Sequence, residues 1–198
     1  GEVAKAVLSP ENTDDIPRVA AEAVRLSTDG RPGPVVVQIS RDVSSMDTDA
    51  EIPNPSPRAV HVPDADLIAK AAAMIDTAKA PLVIAGEMMS NQNASAELTD
   101  FVAAGGLPVM SAYRRLDVMA NSHACYAGHL EINRFESQLA AIEACDLVIA
   151  VGSRLDGITS ADETMLCIGK PLIHIYPDPE ILDRFESDMA IDSDMKPA

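Results

Sequence analysis

Four short apolar runs constrain the fold of this chain more than any other feature. They are PLVIAG (81–86), LPVMSA (107–112), CDLVIAVGS (145–153) and PLIHIYPD (171–178). Each is a continuous stretch of aliphatic residues without polar alternation, the pattern of a strand covered on both faces. Between them lie segments with helical spacing. DADLIAKAAAMIDTAKA (64–80) turns Leu67, Ile68, Ala71, Ala72, Met74 and Ile75 inward, and NASAELTDFVAAGG (93–106) is stopped by two glycines. A third helix is expected over 135–144 and a short one in PEILDRFES (179–187), with a last edge strand in MAID (189–192) and an irregular stretch over 113–132. Strands alternating with helices predict an α/β fold, a Rossmann-like doubly wound parallel sheet with helices on both faces. Crossovers in such a sheet are right-handed.

The N-terminal third poses a separate problem. DDIPRVAAEAVRLSTDG (14–30) reads as a helix with Pro17 in its first turn, Gly30 past its end, and Val19, Ala20, Ala23, Val24 and Leu26 on one face. It leads into GRPGPVVVQISRDV (30–43), a β-branched strand bounded by prolines. Helix and strand make half a βαβ unit, and too few residues precede them to supply the rest of a sheet. A strand with unpaired edges is exposed to solvent or to a neighbour, so residues 1–43 are expected to be partly disordered or to lean on another molecule. From residue 44 the composition shifts to polar residues and prolines, Pro53, Pro55 and Pro57 among them. Repeated prolines hold a chain extended, and Ile52, Val60 and Val62 can pin it to what it crosses. The expected organisation is a tail over 1–43, a proline-rich linker over 44–62 and a nucleotide-binding-like domain over 63–198.

Composition narrows the function. With no Trp, three Tyr and three Phe among 198 residues, the 47% of apolar residues must build the core from Ala, Val, Ile, Leu and Met. A net charge of −16 opposes nucleic acid and anionic membranes, whose phosphates it repels. No apolar run approaches the roughly 20 residues of a membrane span, and the N-terminus has no basic-then-apolar targeting pattern. Cys125, Cys145 and Cys167 have no CxxC spacing, which argues for three small buried hydrophobes in a reducing, cytoplasmic compartment.

Ligands of a doubly wound sheet sit outside the carboxyl ends of its strands. The residues there are Gly86-Glu87-Met88, Ser111 to Arg115, Gly152 to Asp156 and Tyr176-Pro177-Asp178. Gly86 and Gly152 allow a tight turn and close backbone approach. Arg154 offers a bidentate grip on a phosphate, or an ion pair with Asp156. Arg114 and Arg115 are either solvated residues or ligand clamps. Asp178 can accept from ribose hydroxyls and also cap the helix that follows. There is no G-x-G-x-x-G fingerprint and no P-loop. His61, His123, His129 and His174 share no spacing suited to a metal or a triad; His174, inside a strand, reads as structural, and His129, beside Gly128, is the one near a loop. No nucleophile with a base and acid is recognisable, so the chain offers neither catalytic nor metal-binding residues of its own.

In order and spacing, GRPGPVVVQISRDV, the proline-rich linker, APLVIAG, LPVMSA, YAGHL, CDLVIAVGSRLD and LIHIYPDPEIL resemble the thiamine-diphosphate-dependent enzymes of the acetolactate synthase type. The resemblance implies that 1–43 is the tail of a pyrimidine-binding domain and 63–198 the central domain. It also implies a longer polypeptide, with the activating glutamate upstream and the motif that holds Mg²⁺ and the diphosphate downstream. Thiamine diphosphate and Mg²⁺ then belong to the full-length enzyme and are not bound by this portion. The full-length enzyme would decarboxylate or join 2-oxo acids as a homo-oligomer, dimer or tetramer, with its site between subunits. Central domains of the family hold FAD, an ADP or coenzyme A moiety, or nothing. Gly86, Ser111, Arg114, Gly152, Arg154 and Asp178 match, by position, the flavin-contacting places. GEMMS departs from the glycine-rich loop of flavin-binding members, and Glu87 would repel a diphosphate unless it points away. Two other readings stay open, a free-standing NAD- or FAD-binding domain akin to NAD-dependent deacylases and a purely structural module.

Overall fold

A computed structural model describes residues 3–54, 56–162 and 169–198. The chain divides into two compact units, Gly1–Val60 and His61–Ala198.

In the first unit, β1 (Ala6–Leu8) pairs in parallel with β2 (Val35–Val37), Val7 opposite Val36. Between them runs α1 (Ile16–Thr28), preceded by a 3-10 turn in which the Asn12 side chain accepts from the Asp15 N–H. One turn of α1 after another buries Val19 and Ala23, while Val24 is 62% exposed. The apolar face expected for this helix is thus narrower in the fold, because two strands cover only a narrow stripe of it. Lys5 ties the unit's ends by donating to the carbonyls of Asp29 and Arg31.

The second unit holds α2 (Ala65–Thr77), β3 (Pro81–Ala85), α3 (Glu87–Asn91), α4 (Ser95–Gly105), β4 (Val109–Ser111), β5 (Tyr126–His129), α5 (Glu136–Ala144), β6 (Leu147–Val151), α6 (Gly157–Ser160), β7 (Leu172–Ile175), α7 (Pro179–Leu182) and β8 (Met189–Ile191). Its six strands are all parallel, in the order β5-β4-β3-β6-β7-β8. Successive aliphatic residues of the inner strands β3, β4, β6 and β7 alternate between two cores. Val83, Ala85, Val109, Ile149, Val151, Ile173 and Ile175 pack with Ala71 of α2 and Leu98 and Val102 of α4. Leu82, Ile84, Met110, Val148, Ala150 and Leu172 pack with Ile142 of α5. Helices therefore cover both faces, as the apolar runs required. Fully burying each such aliphatic side chain stabilises the fold by about 1.5–3 kcal/mol, which is why these strands tolerate no polar alternation.

Helix ends follow their sequence cues. Asp64 accepts from Asp66 N–H at the start of α2, and Gly106 ends α4 in the left-handed conformation at φ 61°. Two elements depart from expectation. The stretch 113–132 contains β5, whose sequence YAGH carries a glycine at φ 104° and no β-branched residue. The residues after PLVIAG form a short helix, α3, that no helical spacing announced. His61, Gln92 and Asp194 then clasp the unit. Asp194 accepts from the His61 backbone and from the Gln92 amide, and Gln92 accepts from Met195 N–H.

Candidate functional site

Strand order places the site. The chain moves outward from β3 to β4 and β5, then returns to β6 on the other side of β3 and continues outward. The switch point lies between β3 and β6, and the crevice outside their carboxyl ends is where open α/β sheets bind ligands. Gly86 follows β3, and Gly152 follows β6.

These two glycines serve each other. A Cβ on Gly86 would lie 2.3 Å from the Cα of Ser153 and 2.5 Å from the Gly152 carbonyl oxygen. Gly152 stands at φ 60°, and a Cβ there would meet Met195 Sδ at 2.9 Å and Met88 Cβ at 3.0 Å. Gly86 N–H donates to Val151 O and Met88 N–H donates to Gly152 O, both at 3.0 Å. The close backbone approach is between two loops of the chain.

Around them is a charged cluster. The hydroxyl of Tyr176, a residue with no exposed surface, donates to Glu87 Oε1 at 2.7 Å. Arg154 Nε lies 3.8 Å from Glu87 Oε1 and 3.9 Å from Asp156 Oδ2. Glu87 is therefore turned toward Arg154 and the Tyr176 hydroxyl. Asp156 also caps α6, its Oδ1 accepting from the N–H groups of Ile158 and Thr159. Asp178 accepts from Glu180 N–H at the start of α7, the capping role open to it in the sequence.

On the β4 side, Ser111 is buried and its Oγ is 3.2 Å from the Tyr126 hydroxyl. Arg114 takes a left-handed backbone at φ 59° and stacks over the Tyr113 ring at 5.0 Å. Tyr113 N–H donates to Thr159 Oγ1, and Arg134 donates to the carbonyls of Ile158 and Thr159. Burial pushes the Arg134 guanidinium below its ordinary value. His129 Nε2 is 2.8 Å from Glu131 Oε1.

Beneath the groove, His174 is fully buried with Nε2 2.8 Å from Ser153 O. A carbonyl only accepts, so Nε2 carries a proton, while Nδ1 is buried with no hydrogen-bond partner among the described residues, which opposes a second proton there. Burial pushes its pKa below the ordinary value, opposed by the Ser153 carbonyl and Glu87. His174 thus holds the turn against which Gly86 packs.

Of the six candidate residues, Gly86, Gly152 and Arg154 gather at the switch point. Ser111 ends β4, Arg114 lies in the loop after it, and Asp178 lies beyond β7. Sequence reasoning missed Tyr176 as a partner of Glu87. A tyrosine closing an apolar strand among so few aromatics was the available cue. A cavity of about 240 Å³ lies elsewhere, between α2 and α4, lined by Ile68, Ile75, Leu98, Phe101 and Met195 among others.

Fit to the cofactors differs from what a ligand-bearing edge would offer. Among the described residues no group of three or more His, Cys, Asp or Glu side chains is placed to hold a metal. At the switch point, the helix N–H groups just described are spent internally and Arg154 is flanked by two carboxylates, features that work against a diphosphate there.

Strand order and switch point define a doubly wound domain of the dinucleotide-binding type. The family model described as thiamine pyrophosphate enzyme, central domain, matches residues 68–198. The chain belongs to that family, and this part of it is the central domain. It is 34% identical over 172 residues to the acetolactate synthase large subunit of Corynebacterium glutamicum, covering 85% of this chain and 28% of that protein. It is 28% identical over 202 residues to the glyoxylate carboligase of Escherichia coli O157:H7, covering 99% of this chain and 34% of that protein. In fold it superimposes on benzoylformate decarboxylase from Polynucleobacter necessarius with a TM-score of 0.79 at 20% identity, over 98% of this chain and 37% of the other. The chain thus spans about a third of the length of these relatives.

Proposed function

We propose that this chain is the central region of a thiamine-diphosphate-dependent enzyme that decarboxylates or joins 2-oxo acids in the cytoplasm. The observation that supports it most is the family match over 68–198 on a six-stranded sheet of dinucleotide-binding order. Residues 1–43 are read as the tail of a pyrimidine-binding domain, 44–62 as the linker and 63–198 as the central domain. Thiamine diphosphate, when bound with Mg²⁺ by the flanking domains, supplies the carbanion chemistry. Of the three cysteines expected to be buried, Cys145 is buried and Cys125 half-buried, while Cys167 lies outside the described residues. The central domain spaces the catalytic domains and supports a dimer or tetramer. Its groove serves structure: Gly86 and Gly152 pack loop on loop, and Glu87 ties Arg154. FAD or ADP binding at Gly86, Ser111, Arg114, Gly152, Arg154 and Asp178 is the second reading, favoured by their placement on the carboxyl edge.

The test is to purify the protein from its complete reading frame and supply pyruvate or glyoxylate with thiamine diphosphate and Mg²⁺. Carbon dioxide release that depends on thiamine diphosphate is expected, and none from the 198-residue chain alone. Turnover of 2-oxo acids that ignores thiamine diphosphate, or none at all across a panel of them, overturns the proposal.

A further inference from the structure

We propose that Glu87 determines what the switch-point groove accepts, barring diphosphate-bearing nucleotides from Arg154. The inference rests on the reading of this edge as the ligand-facing side of the domain.

Glu87 is the first residue of α3, immediately after Gly86, where the chain leaves β3. Its side chain is 15% exposed. The Tyr176 hydroxyl donates to it at 2.7 Å, and moving the carboxylate into solvent would break that charge-assisted hydrogen bond. The carboxylate is therefore held beside Arg154 instead of sampling water. Asp156 flanks the same guanidinium. Among the described residues, two carboxylates against one guanidinium leave the cluster with an excess negative charge. A diphosphate brought to Arg154 meets that excess in a partly desolvated place, where like charges repel more strongly than in bulk water. Asp178, at the end of the neighbouring strand, adds a further negative charge on this edge.

The usual compensation is missing. Backbone N–H groups at helix starts normally receive a diphosphate. Here Met88 N–H donates to Gly152 O, and those of Ile158 and Thr159 donate to Asp156. At the switch point itself, the cation available to an anion is the Arg154 guanidinium, whose side chain is 42% exposed, and Glu87 lies beside it. Neutralising Glu87 leaves the planar fork of Arg154 with one carboxylate in place of two, and with it the capacity to pair with phosphate. A glutamine at 87 keeps an oxygen for Tyr176 to donate to, so the local packing is preserved.

The experiment is calorimetric titration of the 198-residue chain with ADP at low ionic strength, adenosine serving as the uncharged control. E87Q is expected to bind ADP at least tenfold more tightly than the parent chain, with adenosine unchanged between the two. Adding R154A to E87Q is expected to abolish the gain. Y176F, which frees the carboxylate without removing it, is expected to give a smaller gain that does not depend on how well E87Q folds. Equal ADP affinity in parent and E87Q within twofold, a gain that survives R154A, or no ADP binding by either chain overturns the assignment. Amide shifts separate the two levels of the argument. If ADP binds E87Q but leaves the Gly86, Gly152 and Arg154 amides unmoved, the reading of the edge itself fails.

Discussion

The two sheets of this chain are built from similar strands and have opposite fates. Val35–Val37 in the first unit is as β-branched as any strand of the second, yet Val36 is 46% exposed and its partner Val7 is 63% exposed. In the second unit Val83, Ile84 and Ala85 have no exposed surface. Strand propensity is the same in both cases; what differs is the number of neighbours and layers. Two parallel strands with one helix bury a single stripe, and sheets that small are marginal on their own. Six strands with helices on both faces bury every position of the inner strands β4, β6 and β7 and all of β3 after Pro81. Stability in this molecule is set by layering, not by the local preference of the residues.

Glycine substitutions sharpen that contrast. Gly86→Ala forces a Cβ onto the backbone of Ser153 at 2.3 Å, where nothing flexible can yield. A loss of about 3 kcal/mol is expected, read as a lowered denaturation midpoint of the main transition. Gly33→Ala in the first unit meets only the flexible Lys5 side chain at 2.9 Å, and a change within about 0.5 kcal/mol is expected. Similar costs at the two sites would break the comparison.

A pH effect comes next in size. All four histidines lie at residue 61 or beyond, and burial holds the His174 pKa down. Below the ordinary histidine value of about 6.5, the unfolded chain takes up a proton that the folded chain refuses. Stability at His174 is therefore full above that value and falls as pH drops toward the folded pKa. The slope is at most about 1.4 kcal/mol per pH unit. In H174Q this slope should be absent from urea melts between pH 7 and 5; an unchanged slope would show that His174 is not its source.

The smallest effect is at a cap. Asp178→Ala removes the acceptor for Glu180 N–H and should cost about 1 kcal/mol. A loss below about 0.3 kcal/mol, far under the usual range for such caps, would mean α7 does not depend on it.

The strands buried on both faces were all announced by the sequence, and two less buried ones, β2 and β8, were announced with them. PLVIAG, LPVMSA, LVIAV and LIHI could be read because continuous burial writes a continuous apolar run. β1 and β5 escaped notice for the converse reason. AVL and YAGH are too short or too poor in β-branched residues to differ from loop, and their pairing is supplied by the neighbouring strand. The carboxyl-edge positions were legible because strand ends are legible. The use of Gly86 and Gly152 was not, since a glycine that admits a ligand and one that admits a neighbouring loop look alike in sequence. The bond from Tyr176 to Glu87 joins residues 89 positions apart, a pairing fixed by strand order alone.

Native-state amide exchange across the whole chain tests the central claim most directly. The amides of β3 and β6 should exchange through global unfolding, slower than those of β1 and β2 by ~10³ or more, as expected when one region opens locally and the other does not. Equal protection of both sheets in a dilute monomer would contradict the account.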